Sequence, residues 1–260
     1  MAIDLPIGSP RLVGALLTLT AVTGLIDAVS YLRMGHVFVA NMTGNVVFLG
    51  FALQANAGLS IPASAVGIGG FLVGAVAGGR LGHHLDGRPR HWLRIVFAVQ
   101  AGILVAVTVL GGVGVLRYTG DRALVTTAVL AAAFGLQNAT VRRLGAADLT
   151  TTVLTLGLTG LAADSRLAGG PGARPHRRLG SVLAMLAGAA TGAVLLQVTS
   201  PTTVIALATG LVVVVGALLT TADRPVRSAS GRGTSAPRWP CRRGSRGRGP
   251  RVGARPATRR

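Results

Sequence analysis

Asp27 lies inside a long apolar stretch, residues 12–33, where an acidic side chain must face protein or water rather than lipid. Two chemistries fit a carboxylate there: a proton or cation site, or a hydrogen bond to a neighbouring helix, with Asn41, Asn45 or a threonine as partner. The polar run Asn41, Met42, Thr43, Gly44 and Asn45 follows soon after. Its amides and hydroxyl are good helix-capping groups, and Gly44 lets the backbone leave helical geometry. A helix start aimed into a cavity offers unpaired N–H groups and a positive dipole end, suited to an anion or a carboxylate. His36, just before this run, reads either as a site residue or as an interfacial histidine. Farther along, Gln137 and Asn138 and the threonines around Thr151 offer neutral hydrogen-bonding groups.

The elements that must position these residues are membrane segments. Half of the 260 residues are hydrophobic and 13% are charged, and the mean hydropathy is +0.59. That excludes an ordinary soluble globule. Apolar runs fall at residues 12–33, 38–55, 61–79, 92–116, 123–141, 148–163, 179–198 and 202–221. A helix needs about 20 residues to cross a hydrocarbon core, and 38–55 and 148–163 are the two that fall short and open on polar clusters.

These two occupy matching places in two halves. Gly24 to Ala28 (GLIDA) recurs as Gly135 to Ala139 (GLQNA), and Gly74 to Gly78 (GAVAG) recurs as Gly188 to Gly192 (GAATG), at offsets of 111 and 114. The reading is a polytopic domain over 1–221, with one repeat over 12–116 and a second over 123–221, followed by an Arg-rich tail over 222–260. Arginine fixes the orientation, because short cytoplasmic loops collect it. Arg80, Arg88 and Arg90, then Arg142 and Arg143, then Arg166, Arg174, Arg177 and Arg178, and finally the tail, all fall on one side only if 38–55 and 148–163 enter and leave by the same face. The expected fold class is therefore an all-α integral membrane protein: six transmembrane helices plus two short re-entrant or interrupted helices in two inverted repeats, both termini cytoplasmic. Such folds place a polar site near the midplane, where unwound backbone is tolerated. Asp27, Asn41, Thr43, Asn45, Asn138 and Thr151 are expected to converge there.

Gly70, Gly74 and Gly78, with Gly188 and Gly192, form ridges of small residues suited to close helix packing, within one chain or across a homo-oligomer. The lone cysteine, Cys241, excludes a disulfide framework and a cysteine metal site within one chain. No cleaved signal peptide is read at the start of the chain. No nucleotide loop or hydrolase motif occurs, and His83 and His84 beside Asp86 read as a solvated loop, so neither cofactor nor metal is expected. The tail, with 12 Arg against Asp223, carries +11 of the net +19. Its composition predicts disorder, attraction to anionic lipid headgroups and no specific nucleic-acid binding.

Taken together, GLIDA at 24–28, GHVFVANMTGN at 35–45, GLQNA at 135–139 and the threonines of 150–155 resemble the YoaK-type bacterial membrane proteins, the DUF1275 family of unknown function. The resemblance spans about residues 12 to 221 and implies an inner-membrane protein with about six helices, without an established substrate. The Arg-rich tail departs from the compact ends of that family. The preferred function is a secondary transporter or channel for a small solute or ion; a membrane-embedded enzyme using Asp27 and His36 as acid and base, or a noncatalytic scaffold, are the alternatives.

Overall fold

Six apolar stretches of this chain are long enough to cross a bilayer, and in the computed structural model each is one helix. The structure describes residues 10–54, 58–144, 154–170 and 175–221. The long helices are α1 (Pro10–Arg33), α3 (Ile61–His84), α4 (Pro89–Gly112), α5 (Ala123–Arg143), α7 (Pro175–Val198) and α8 (Pro201–Thr221). Between them lie α2 (Met42–Phe51) and α6 (Leu154–Ala163), each of 10 residues. Ten residues rise only ~15 Å, half a hydrocarbon core, so neither short helix crosses. The described residues contain no strand.

Close glycine contacts reveal which way the helices run. On α1 and α7, Ala21 meets Gly188 and Ala28 meets Gly192, with the Arg33 guanidinium donating to the Leu196 carbonyl at 2.7 Å, so these two helices are parallel. On α3 and α5, Gly70 meets Ala128, Gly74 meets Ala132 and Gly78 meets Leu136, again in parallel. By contrast α4 is antiparallel to α5, pairing Trp92 with Arg143 and Gln100 with Gln137. It is also antiparallel to α8, pairing Phe97 with Gly216 and Thr108 with Thr209.

Those directions fix the path of the chain. Arg33 at the end of α1, Gly111 at the end of α4 and Pro201 at the start of α8 line one cavity of about 360 Å³, so these ends share a face. Helix α3, joined to α4 by four residues, begins on that face, and α7 ends there beside Arg33. The stretch from α1 to α3 therefore returns to the face it left, as does the stretch from α5 to α7. The glycine ridges serve these packings within one chain.

Burial follows a repeated register. In α1, positions 12, 15, 16, 19, 20, 22 to 27, 29 and 30 are buried, and adding 111 reproduces the buried set of α5 except at Asn138. Adding 112 to Trp92, Leu93, Val96, Phe97, Gln100 and Leu104 of α4 lands on Val204, Ile205, Ala208, Thr209, Val212 and Gly216 of α8, all buried. Elsewhere, Asp86 is bonded to Arg143 at 3.0 Å, which ties it to the end of α5.

Candidate functional site

Helix α1 ends in a tight reversal. Gly35 and His36 take left-handed φ values of 87° and 57°, and the His36 N–H donates to the Tyr31 carbonyl at 3.2 Å. This is the glycine-terminated closure that satisfies the last carbonyls of a helix. Residues 37–41 then run without helical bonds through the protein interior, with Val37, Val39 and Ala40 fully buried. Backbone polar groups in such a place need partners.

Two of the polar residues singled out from sequence supply them. The Asp27 Oδ1 accepts from the Val39 N–H at 3.1 Å and from the Ala40 N–H at 3.0 Å. Asn45, fully buried on α2, accepts from the Phe38 N–H at 2.9 Å through Oδ1 and donates to the Phe38 carbonyl at 2.6 Å through Nδ2. From α3, Gly67 presses against this knot: a Cβ there would lie 3.0 Å from the Asn45 amide and 3.2 Å from Val37. Gly44 likewise fits under the Phe38 ring, which stacks with Tyr31 and Phe48. Asn45→Ala removes both partners of Phe38 at once and is expected to cost about 2 kcal/mol, read as a lower unfolding temperature in detergent.

The other nominated residues lie differently. Asn41 precedes α2, and its carbonyl accepts from the Gly44 N–H while its side chain makes no capping bond. Thr43 is exposed, and His36 is exposed with its ring edge on Tyr31. Asn138 donates to the Phe134 carbonyl of its own helix at 2.9 Å. Gln137 belongs to a separate buried chain: the Gln100 amide donates to Gln137 Oε1 at 2.6 Å, and the Gln137 amide donates to Thr23 Oγ1 at 3.3 Å. Thr151 lies outside the described residues, as does the Arg-rich tail. The structure thus gathers Asp27, Asn45 and the backbone around Asn41 into one cluster and Gln137 into another.

Gln100 is absent from the sequence-based candidates. Its signal is slight but present, since it is the one amide within the apolar run 92–116.

Residues 15–218, the whole helical region but its ends, match the family described as a protein of unknown function, DUF1275. The chain belongs to the DUF1275 family. Within it, this chain is similar to the UPF0700 transmembrane protein YoaK of Bacillus subtilis (strain 168), 32% identical over 159 residues. That alignment covers 58% of this chain and 64% of YoaK, so somewhat less than two thirds of the relative's length is matched. No solved structure matches. Family membership agrees with the resemblance carried by 24–28, 35–45 and 135–139, and it makes this a multi-helix transmembrane protein.

Proposed function

We propose that this DUF1275 chain is a secondary transporter or channel for a small solute or ion, built from two inverted repeats. The observation that carries the reading is the buried, non-helical backbone of residues 37–41, tied by Asp27 and Asn45 at the membrane level of α1. Irregular backbone at such a depth is the device by which transporters form a site between repeats. Support for the repeats comes from contacts that recur at near-constant offsets: Gly74 on Ala132 matches Gly188 on Ala21, and Gly24 on Met185 matches Gly135 on Phe71. Parallel α1–α7 and α3–α5 pairs, exchanged between the halves, fit a two-fold axis in the membrane plane. Reconstituted vesicles challenged with a panel of ions and small metabolites are expected to show flux above protein-free vesicles. Silence across the panel overturns the reading.

The same proposal places the protein in the bacterial inner membrane with both termini cytoplasmic. Arg80, Arg88, Arg142, Arg143, Arg177 and Arg178 sit at helix ends on one face, against Arg33, Arg117 and Arg122 on the other. The arginine-rich face is the cytoplasmic one by the positive-inside rule. With a cytoplasmic C-terminus Cys241, the one cysteine of the sequence, is cytoplasmic too, and it offers a built-in reporter. In intact cells a membrane-impermeant maleimide should leave it unlabelled, and permeabilisation should expose it. Labelling without permeabilisation reverses the orientation.

A further inference from the structure

The cavity of about 360 Å³ between the ends of α1 and α4 and the start of α8 is lined by charge of one sign. Arg33 and Arg117 line it together with Tyr118 and Thr119, and no acidic residue does. A sphere of that volume is roughly 9 Å across, about one Debye length at physiological salt, so the two guanidinium groups are only partly screened from each other. Helix ends offset part of this charge. The C-termini of α1, α4 and α7 contribute about −0.5 each and the start of α8 about +0.5, near −1 in total against +2 from the arginines. The cavity keeps a positive surplus.

Arg33 has a structural task, since its guanidinium donates to the Leu196 carbonyl at the end of α7, but that bond uses one of its five N–H donors. Arg117 has no such task. Its side chain makes no hydrogen bond or ion pair among the described residues, not even with Asp121 four positions on. The loop that carries it is nevertheless fastened on both sides. The Thr126 hydroxyl donates to the Arg117 carbonyl at 2.8 Å, and the Tyr118 hydroxyl shares a hydrogen bond of 3.0 Å with the Thr202 hydroxyl of α8. Gly111 makes the second tie possible, because a Cβ there would strike the Tyr118 hydroxyl. A merely solvated arginine would stand away from a second cation, because like charges repel. Here an anchored segment holds an unpaired guanidinium at a cavity that a second one also lines, and the acceptor that would neutralise them must come from outside the fold.

We propose that this cavity binds a small oxyanion, a phosphate, sulfate or carboxylate group held by Arg117 and by the remaining N–H groups of Arg33. Both arginines are exposed, so the anion reaches them from solution or on a lipid headgroup. The site is independent of the transport reading and does not fall with it. The measurement is the unfolding temperature of the full chain in a neutral, phosphate-free detergent, titrated with sodium phosphate, sulfate or succinate against sodium chloride of equal ionic strength, or with phosphatidylglycerol. A ligand of the folded form raises that temperature saturably, and at least one oxyanion should do so where chloride does not. Arg117→Gln, which breaks no side-chain bond of the fold, should raise the half-saturating concentration about ten-fold. Arg122→Gln removes the same charge from the same face but outside the cavity, and should leave it within about two-fold. Comparing the two variants also cancels the general stabilisation by excluded salts, which acts on every variant alike. A saturable rise with phosphatidylglycerol to which the salts add nothing marks a headgroup as the occupant, whereas a rise with a salt that the lipid leaves unchanged marks a soluble anion. No saturable rise with any of these titrants, or one that Arg117→Gln and Arg122→Gln weaken equally, overturns the proposal.

Discussion

Gly74→Ala is expected to lower the stability of the folded protein by about 1–3 kcal/mol, the cost of an added methyl in a full space, while Gly69→Ala raises it by up to about 1 kcal/mol. A Cβ at Gly74 would run into the backbone of Ala132 on α5, and a carbonyl cannot swing aside as a side chain does. Gly69, five residues back on the same helix, has nothing within 4 Å of the corresponding Cβ position. Helix propensity alone favours alanine over glycine by about 1 kcal/mol, so any loss at Gly74 is measured against an intrinsic gain. Gly188 contacts Ala21 on α1 in the same manner, and Gly188→Ala should lose a comparable amount. Apparent unfolding temperatures in detergent decide the matter. A Gly74→Ala protein as stable as Gly69→Ala would mean that α3 and α5 are not locked together backbone to backbone.

The identity of that partner is what the sequence conceals. Glycines at 70, 74 and 78 announce a close packing because small residues at four-residue spacing form a ridge, but nothing local says that the ridge meets α5 in parallel. The partner lies in the other half of the chain, and its own signal is a set of alanines that also occurs on lipid-facing helices. Hydropathy, by comparison, marks all eight helices, because crossing a bilayer imposes a length that 38–55 and 148–163 visibly lack. It misplaces the start of the first: α2 begins at Met42 and the irregular stretch before it is as apolar as any helix, with Val37, Val39 and Ala40 in the interior. Hydropathy reports transfer to an apolar medium and is blind to whether backbone groups bond within a helix or to Asp27 and Asn45. Gln100 escapes for the same reason, since one amide scarcely alters the mean of a 25-residue apolar run.

The second large effect is expected at Asp27, where two substitutions separate anchoring from charge. Asp27→Ala leaves the Val39 and Ala40 N–H groups without an acceptor in a buried place, at about 1–3 kcal/mol for each, enough to deplete the folded protein. Asp27→Asn keeps an oxygen where Oδ1 stands, so both N–H bonds survive. The amide NH₂ then falls where the carboxylate's Oδ2 is buried with no partner, which limits the loss to that of about one unsatisfied group. Folded yield and unfolding temperature should therefore rank wild type above Asn and Asn well above Ala. Equal yields for Ala and wild type would remove Asp27 as the anchor of residues 37–41. Flux of the folded Asn variant then reads the charge on its own: if the carboxylate binds a proton or cation during transport, flux and its pH dependence vanish with the amide. If the carboxylate only holds the loop, the Asn variant transports as wild type does.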